Sequence, residues 1–219
     1  MATQFPIWYG DFWERLPLSS YSFWLNDNLL TAETGGGEIL TARRGQRLWH
    51  GTAQITPVST GQADDVGATL DLLREAGTSF MVYDPARRWS QHDPDGSIQG
   101  SEVCSVFAVN ANLREITLQG LSAGYTLTTG DHVSIAYGSG PVRYYLGKVA
   151  VGGTFQAGTP TTATIELVPR LPSTVTQNDT VTLRRPVCKA VYVPESFRGL
   201  TRQPRADESF TFRWRQTVR

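Results

Sequence analysis

The stretch that decides the fold is ESFTFRWRQTVR, residues 208–219. Its apolar and polar residues alternate: Phe210, Phe212 and Trp214 against Thr211, Arg213 and Arg215. Successive side chains of a β-strand point to opposite faces, so a period of two predicts a strand with one buried and one polar face. We therefore expect the aromatic side chains to lie in a core and the arginines to point away from it.

A second stretch, RLWHGTAQI at residues 47–55, shows the same period. It predicts a strand whose Trp49, Ala53 and Ile55 face the core. The residues before it, GGGEILTARRGQ, open with a glycine turn and predict another strand that ends near Arg44 and Gly45.

One segment carries a helical pattern, STGQADDVGATLDLLREAG at residues 59–77. Ser59 stands at the N-cap position with Gln62 at the capping-box position. Val66, Leu70 and Leu73 follow a 3–4 spacing, which predicts a helix over about residues 60–76 with one apolar face. The segment SFMVYDP then predicts a buried strand.

Many short apolar runs and turn residues fill the rest of the chain. We expect a mainly β protein with one α-helix, consisting of two units. The first is a β-domain with the helix, formed by residues 1–113 and 187–219. The second is a small β-barrel or sandwich, formed by residues 114–186.

Composition excludes several classes of partner. The formal net charge is zero and no apolar run has the length of a membrane span, so we expect no membrane partner and no sequence-specific nucleic acid partner. The N-terminal residues lack the basic start and apolar centre of a secretory signal, so we expect synthesis in the cytoplasm. Cys104 and Cys188 form no C-x-x-C pair, and their spacing leaves open whether they meet.

The stretch SFMVYDPARRWSQHDPDG, residues 79–96, is dense in groups that enzymes and metal sites use. Asp93 to Gly96 matches the start of a calcium loop, but Ser97 and Cys104 stand where further ligands are needed. His92 has no partner histidine at helical spacing, and no nucleophile motif accompanies it. We therefore expect no catalytic residue, no metal and no cofactor, and interpret the stretch as a solvated loop held by Asp turns.

Candidate contact residues follow from the aromatic and arginine content. Aromatic residues crowd the first thirty positions, among them Trp8 and Trp13, and such an arm packs on its own core or on a neighbouring subunit. Arginine makes forked, directional contacts suited to protein interfaces. The predicted subunit-interface residues are Trp8, Trp13, Arg87, Arg88, Arg213 and Arg215.

The basic C-terminal strand also allows a nucleic-acid interpretation, because arginines alternate with aromatics there as in single-strand binders. The period of two turns the aromatic residues inward, which buries the stacking surface. We expect an interface or surface role instead, with the arginines of a terminal strand preventing edge pairing or meeting acidic groups on a partner.

The order of segments resembles a known family. Residues 47–88 combine a tryptophan strand, a helix and a strand that ends in Tyr-Asp-Pro. ITLQGLSAGYTLTTGDHVSI at residues 116–135 has a G-L-x-x-G-x-x-L-x-x-G-D cadence, followed by TATIELVPRLP and YVPESFRGLTRQP. Together these segments resemble the distal tail proteins of long-tailed bacteriophages and related prophages, over about residues 46–215.

The resemblance implies a structural virion protein. Such proteins form oligomeric rings, often hexamers, at the distal end of the tail, where they join the tail tube protein to the hub proteins of the tail tip or baseplate. One β-domain with a helix forms the ring and a second β-domain decorates it. The resemblance implies no catalytic residue and no cofactor. It also leads us to expect that removing residues 1–16 breaks assembly and leaves a folded monomer.

Two other functions stay open at this stage. A carbohydrate-binding module of the tail tip would stack sugars on exposed aromatic side chains, for which the second unit offers Tyr125, Tyr137, Tyr144 and Tyr145. Packing within strands is the alternative for all four. A cell-wall hydrolase would need paired carboxylates in a cleft, for which only Asp84 and Asp93 are candidates.

Overall fold

The structure, a computed structural model, describes residues 3–56, 59–122, 124–154, 164–196, 202–203, 206–207 and 209–219. It is mainly β with one α-helix, which confirms the predicted fold class. Part of the family-like segment at residues 192–204 lies outside the described residues.

The first unit, here called the sheet unit, is built on a five-stranded antiparallel sheet. Its strands in spatial order are β1 (Leu18–Leu25), β4 (Trp49–Ile55), β17 (Phe210–Gln216), β14 (Cys188–Tyr192) and β5 (Phe80–Val82). The predicted β17 is the central strand, not an edge strand. The idea that its arginines prevent edge pairing is therefore wrong, because β4 and β14 occupy both of its edges.

Alternation along these strands was predicted correctly. Phe210, Phe212 and Trp214 are buried, and Arg213 and Arg215 are exposed. Trp49, Ala53 and Ile55 on β4 are also buried. Gly51 lies opposite Trp214, and a Cβ atom there would come within 2.3 Å of the indole. Glycine therefore lets the largest side chain of β17 lie across β4.

The helix α1 (Thr60–Leu73) covers the inner face of the sheet through Val66, Leu70 and Leu73. Ser59 caps it by accepting a hydrogen bond from the backbone N–H of Gln62, as predicted. The helix ends at Leu73, three residues before the predicted end.

The second unit is a closed antiparallel barrel. Its strands in spatial order are β10 (Arg143–Val151), β12 (Thr164–Val168), β7 (Glu115–Gln119), β6 (Cys104–Val109), β13 (Thr180–Thr182) and β9 (His132–Tyr137). The barrel begins at β6, ahead of residue 114 where the sequence interpretation placed the boundary. In the sequence, the barrel is inserted between β5 and β14. The sheet unit is therefore formed by segments from both ends of the chain.

Three two-stranded ribbons complete the described strands, and two 3-10 turns accompany them. The ribbons are β2 (Leu29–Glu33) with β3 (Ile39–Arg43), β8 (Thr126–Leu127) with β11 (Gly153–Thr154), and β15 (Arg202–Gln203) with β16 (Ala206–Asp207). The turns are η1 (Trp13–Arg15) and η2 (Pro85–Arg87). The predicted strand after the glycine turn is thus β3, which pairs with β2 rather than with β4.

The two units share a buried, hydrogen-bonded junction. The indole N–H of Trp49 donates to the carbonyl of Leu146 at 2.7 Å, and the hydroxyl of Ser134 donates to the carbonyl of Val187 at 2.7 Å. His132 of the barrel lies 5.2 Å from the Trp49 ring and 6.0 Å from the Phe23 ring. Burial lowers the pKa of His132 to about 4.

Candidate subunit-interface surface

The N-terminal arm belongs mainly to the core of its own chain. Ile7 bridges β5, since its N–H donates to Ser79 and its carbonyl accepts from Met81, each at 2.9 Å. Phe12 and Trp13 are buried, and the Trp13 indole N–H donates to the carbonyl of Tyr83 at 3.0 Å. Trp13 is therefore a packing residue, and its prediction as a subunit contact is wrong.

The burial of the arm also corrects the expected effect of a truncation. Residues 1–16 include Ile7, Phe12, Trp13 and Leu16, all of which pack in the core of the sheet unit. Removing them would expose Phe80 and Trp214, which contact this arm. We therefore expect loss of the fold, not a folded monomer that fails to assemble.

Trp8 differs from its neighbours. It is 44% exposed, although its ring lies 5.1 Å from that of Tyr9. A half-exposed tryptophan offers a large apolar area at low entropic cost, so Trp8 stays a candidate contact.

Arg87 and Arg88 lie where the chain crosses from the sheet unit to the barrel. Asp84 caps η2 by accepting from the N–H of Ala86 at 2.9 Å. Arg88 is exposed and its carbonyl accepts from the N–H of Arg185 at 2.6 Å, whereas Arg87 is half-buried. Both remain predicted contacts, and Arg88 has the more accessible side chain.

The loop after them is exposed over most of its length, as expected, but it has two buried polar residues, Ser90 and Asp93. Asp93 is buried and accepts from the N–H groups of Ile98 and Gln99, both at 3.0 Å. Asp131 of the barrel is buried and accepts from the hydroxyl of Ser90 at 3.0 Å and the N–H of Gln91 at 2.9 Å. The bonds of Asp131 hold the loop against the barrel, and those of Asp93 fix a turn within the loop.

The carboxylates of this segment accept hydrogen bonds from the backbone of the same chain. Asp93 has both carboxylate oxygens engaged by the backbone, and Asp84 caps a turn. Asp95 accepts from the N–H of Ser97 at 3.1 Å, an Asp turn of the predicted kind. His92 is exposed, 5.8 Å from the ring of Tyr125. Within the described residues no three His, Cys, Asp or Glu side chains converge as metal ligands.

The tyrosines of the barrel do not form an exposed stacking surface. Tyr125, Tyr137 and Tyr145 are buried in the barrel core, which confirms packing for these three. Tyr144 is half-buried and packs against the core of the sheet unit. The sugar-binding alternative thus loses the aromatic rings on which it depended.

Cys104 and Cys188 do not meet. Cys104 lies in the barrel core and Cys188 in the core of the sheet unit, both as free thiols. Burial raises the pKa of Cys104 to about 12, and it also raises the pKa of Cys188.

The outer face of the sheet, which points away from the core, carries the predicted Arg213 and Arg215. The register places Trp24, His50 and Arg215 side by side on β1, β4 and β17. Trp24 is 44% exposed and stacks on His50 at 6.1 Å. Neither arginine forms an ion pair within the part of the chain that the structure describes. This polar face is therefore open to a partner.

A ribbon with several exposed apolar side chains was missed by the sequence interpretation. Every residue of β2 and β3 is exposed, including four large aliphatic side chains: Leu29, Leu30, Ile39 and Leu40. A signal was present in the sequence, because Leu30 and Ala32 alternate with polar residues as Leu40 and Ala42 do. The many aromatic residues that precede this segment obscure its alternating pattern.

Comparison with known proteins adds no assignment. The chain matches no protein-family model, and no curated protein is significantly similar to it. Among the described residues, no helix has both the length and the apolar character that crossing a membrane requires.

Proposed function

We propose that this chain is a structural protein of a bacteriophage tail that forms a ring at the distal end of the tail. In this role it joins the tail tube protein to the hub proteins of the tail tip or baseplate. It is made in the host cytoplasm and resides in the virion. The role requires neither a cofactor nor catalysis.

The observation that supports this proposal most is the insertion of a closed barrel into a sheet-and-helix unit. The resemblance to distal tail proteins implies this division of labour, with one β-domain forming the ring and the other decorating it. Hydrogen bonds from Trp49 and Ser134 fix the two units together. Buried hydrogen bonds between the two units suit a protein that connects two parts of a tail.

The exposed surfaces support self-association. The β2–β3 ribbon and Trp8 expose apolar area, and the outer face of the sheet exposes Arg213 and Arg215. Contiguous exposed apolar area marks interaction sites on soluble proteins. These surfaces differ from one another, so contacts between them are heterologous and build rings when the rotation closes. The hexameric copy number and the neighbours in the tail come from the family resemblance.

Light scattering and negative-stain imaging of the purified chain test this proposal. We expect the mass and the images of closed rings, with the ring fraction increasing with protein concentration. A chain that remains monomeric up to about 1 mM, where even weak contacts are populated, would contradict it.

A further inference from the structure

The paired strands of the β2–β3 hairpin, residues 29–33 and 39–43, have one face that carries only apolar side chains. Leu30 pairs with Ala42 and Ala32 pairs with Leu40. Directly paired residues point to the same face of an antiparallel ribbon, so these four side chains share one face. The opposite face carries Glu33 and Arg43 among its members and is mixed in character.

This apolar face has no cover within the described chain. Leu30 is 55% exposed and Leu40 is 52% exposed. A two-stranded ribbon by itself is marginally stable in water and needs a further layer against its apolar face. The surface of a partner would supply that layer.

An acidic group stands at the tip of the same face. The N–H of Thr34 donates to the carbonyl of Glu38 at 2.9 Å, so pairing continues to this residue. Alternation then places Glu38 on the face of Leu40 and Ala42. Glu38 is exposed and forms no ion pair within the described ranges.

The outer face of the sheet has the complementary pattern. Trp24 presents a half-exposed indole, and two strands away Arg215 presents a guanidinium without an ion pair among the described residues. Strands lie about 4.8 Å apart, so these positions are separated by about 10 Å. Glu38 and Leu40 are about 7 Å apart along their strand. The side chains of these four residues are long enough to bridge the difference between the two separations.

We propose that the hairpin of one copy packs across the outer sheet face of a second copy, with Leu40 against Trp24 and Glu38 paired to Arg215. The contact is heterologous, so an open row of copies keeps a free hairpin at one end and a free sheet face at the other until the ring closes. This inference rests on the proposed ring and names the contact that builds it.

Charge reversal tests the pairing. Glu38→Arg and Arg215→Glu each place like charges in the contact, which disfavours association. We expect each variant alone to associate at least about tenfold more weakly than the wild type in sedimentation velocity. The control is Glu33→Arg, an equal charge change on the opposite face of the same hairpin. It should associate within about twofold of the wild type, because exposed charges outside a contact contribute little.

Mixing gives the decisive result. In an equimolar mixture of Glu38→Arg and Arg215→Glu chains, every hairpin can find an oppositely charged sheet face on the other variant. We expect the mixture to associate as the wild type does, in alternating order. The double variant Glu38→Arg/Arg215→Glu should also recover, since both partners are exchanged within each contact.

The outcomes separate this inference from the proposed function. A wild-type chain that stays monomeric contradicts the ring itself. A wild-type chain that associates while both variants associate equally well overturns the hairpin contact and leaves the ring in place. Weakened variants that the mixture and the double variant fail to restore overturn the pairing of Glu38 with Arg215. Circular dichroism verifies that each variant keeps its fold.

Discussion

β17 and the β2–β3 hairpin are both built on alternation of apolar and polar residues, yet they have opposite fates. On β17 the apolar residues Phe212 and Trp214 are buried in a core to which α1, the N-terminal arm and Leu146 of the barrel contribute. On the hairpin Leu30 and Leu40 stay exposed. Alternation predicts that one face of a strand has to be buried. It does not predict whether the same chain or a second chain buries that face. The hairpin is where we expect a second chain to supply it.

The largest expected loss of stability comes from a substitution on the buried face of β17. Trp214→Ala removes an indole that lies 4.8 Å from Phe23 and 6.1 Å from Trp13. We expect the free energy of unfolding to fall by about 3–5 kcal/mol in urea titrations, because a large cavity opens in the core. The matched control is Arg215→Ala on the same strand, which should change it by less than about 0.5 kcal/mol. Similar losses in both variants would contradict the assignment of faces.

The junction of the two units should also be sensitive to pH. His132 is buried and its pKa is lowered to about 4, mainly by desolvation and also by the charges of Lys148 and Arg87. Below pH of about 6.5 the unfolded chain binds a proton that the folded His132 does not, so stability falls as pH decreases towards 4. This contribution is present in full above about pH 6.5, and its loss amounts to about 3 kcal/mol.

The variant His132→Phe isolates this effect. It removes the titrating group while other ionisable side chains stay the same. We expect its free energy of unfolding, relative to the wild type, to increase as pH falls from about 6.5 to 4. Urea titrations at several pH values measure the difference. A difference that is constant with pH would show that His132 is not held neutral in the fold.

The close approach of β17 to β4 predicts a smaller change in stability, whose sign distinguishes two glycine substitutions. At Gly51 an added Cβ would meet the Trp214 indole at 2.3 Å and the carbonyl of Ser22 at 2.5 Å. Gly51→Ala should destabilise the chain by about 1–3 kcal/mol through overpacking. At Gly67 on α1 nothing lies within 4 Å of an added Cβ. Gly67→Ala should instead stabilise it by about 0.5–1 kcal/mol. Thermal unfolding measures whether each variant is destabilised or stabilised. A change in the same direction in both variants would contradict the prediction.

The smallest effect is expected on the exposed side. Leu40→Ser on the hairpin should change the unfolding free energy of the monomer by less than about 0.5 kcal/mol, because the side chain is already exposed. The same variant should associate more weakly in sedimentation velocity. A large loss of monomer stability would mean that the hairpin is covered within its own chain.

Local patterns predicted the parts of the fold that depend on local physics. Alternation identified β17 and β4, and the cap at Ser59 identified α1. The central position of β17 and the start of the barrel at Cys104 were not predicted, because strand pairing depends on residues distant in sequence. For the same reason the aromatic composition of the arm did not distinguish the buried Trp13 from the exposed Trp8. Arg213 and Arg215 were placed on the correct face because alternation alone decides it.

Hydrogen exchange as a function of protein concentration tests the central claim most directly. If a second copy covers the hairpin, the amides of residues 29–43 gain at least about tenfold protection between about 1 and 100 µM protein, as association shifts by mass action. The amides of β17, already in the centre of a sheet, should change far less over the same range. A hairpin that exchanges at the same rate at every concentration, in a chain that does associate, would contradict the claim that its apolar face is the contact.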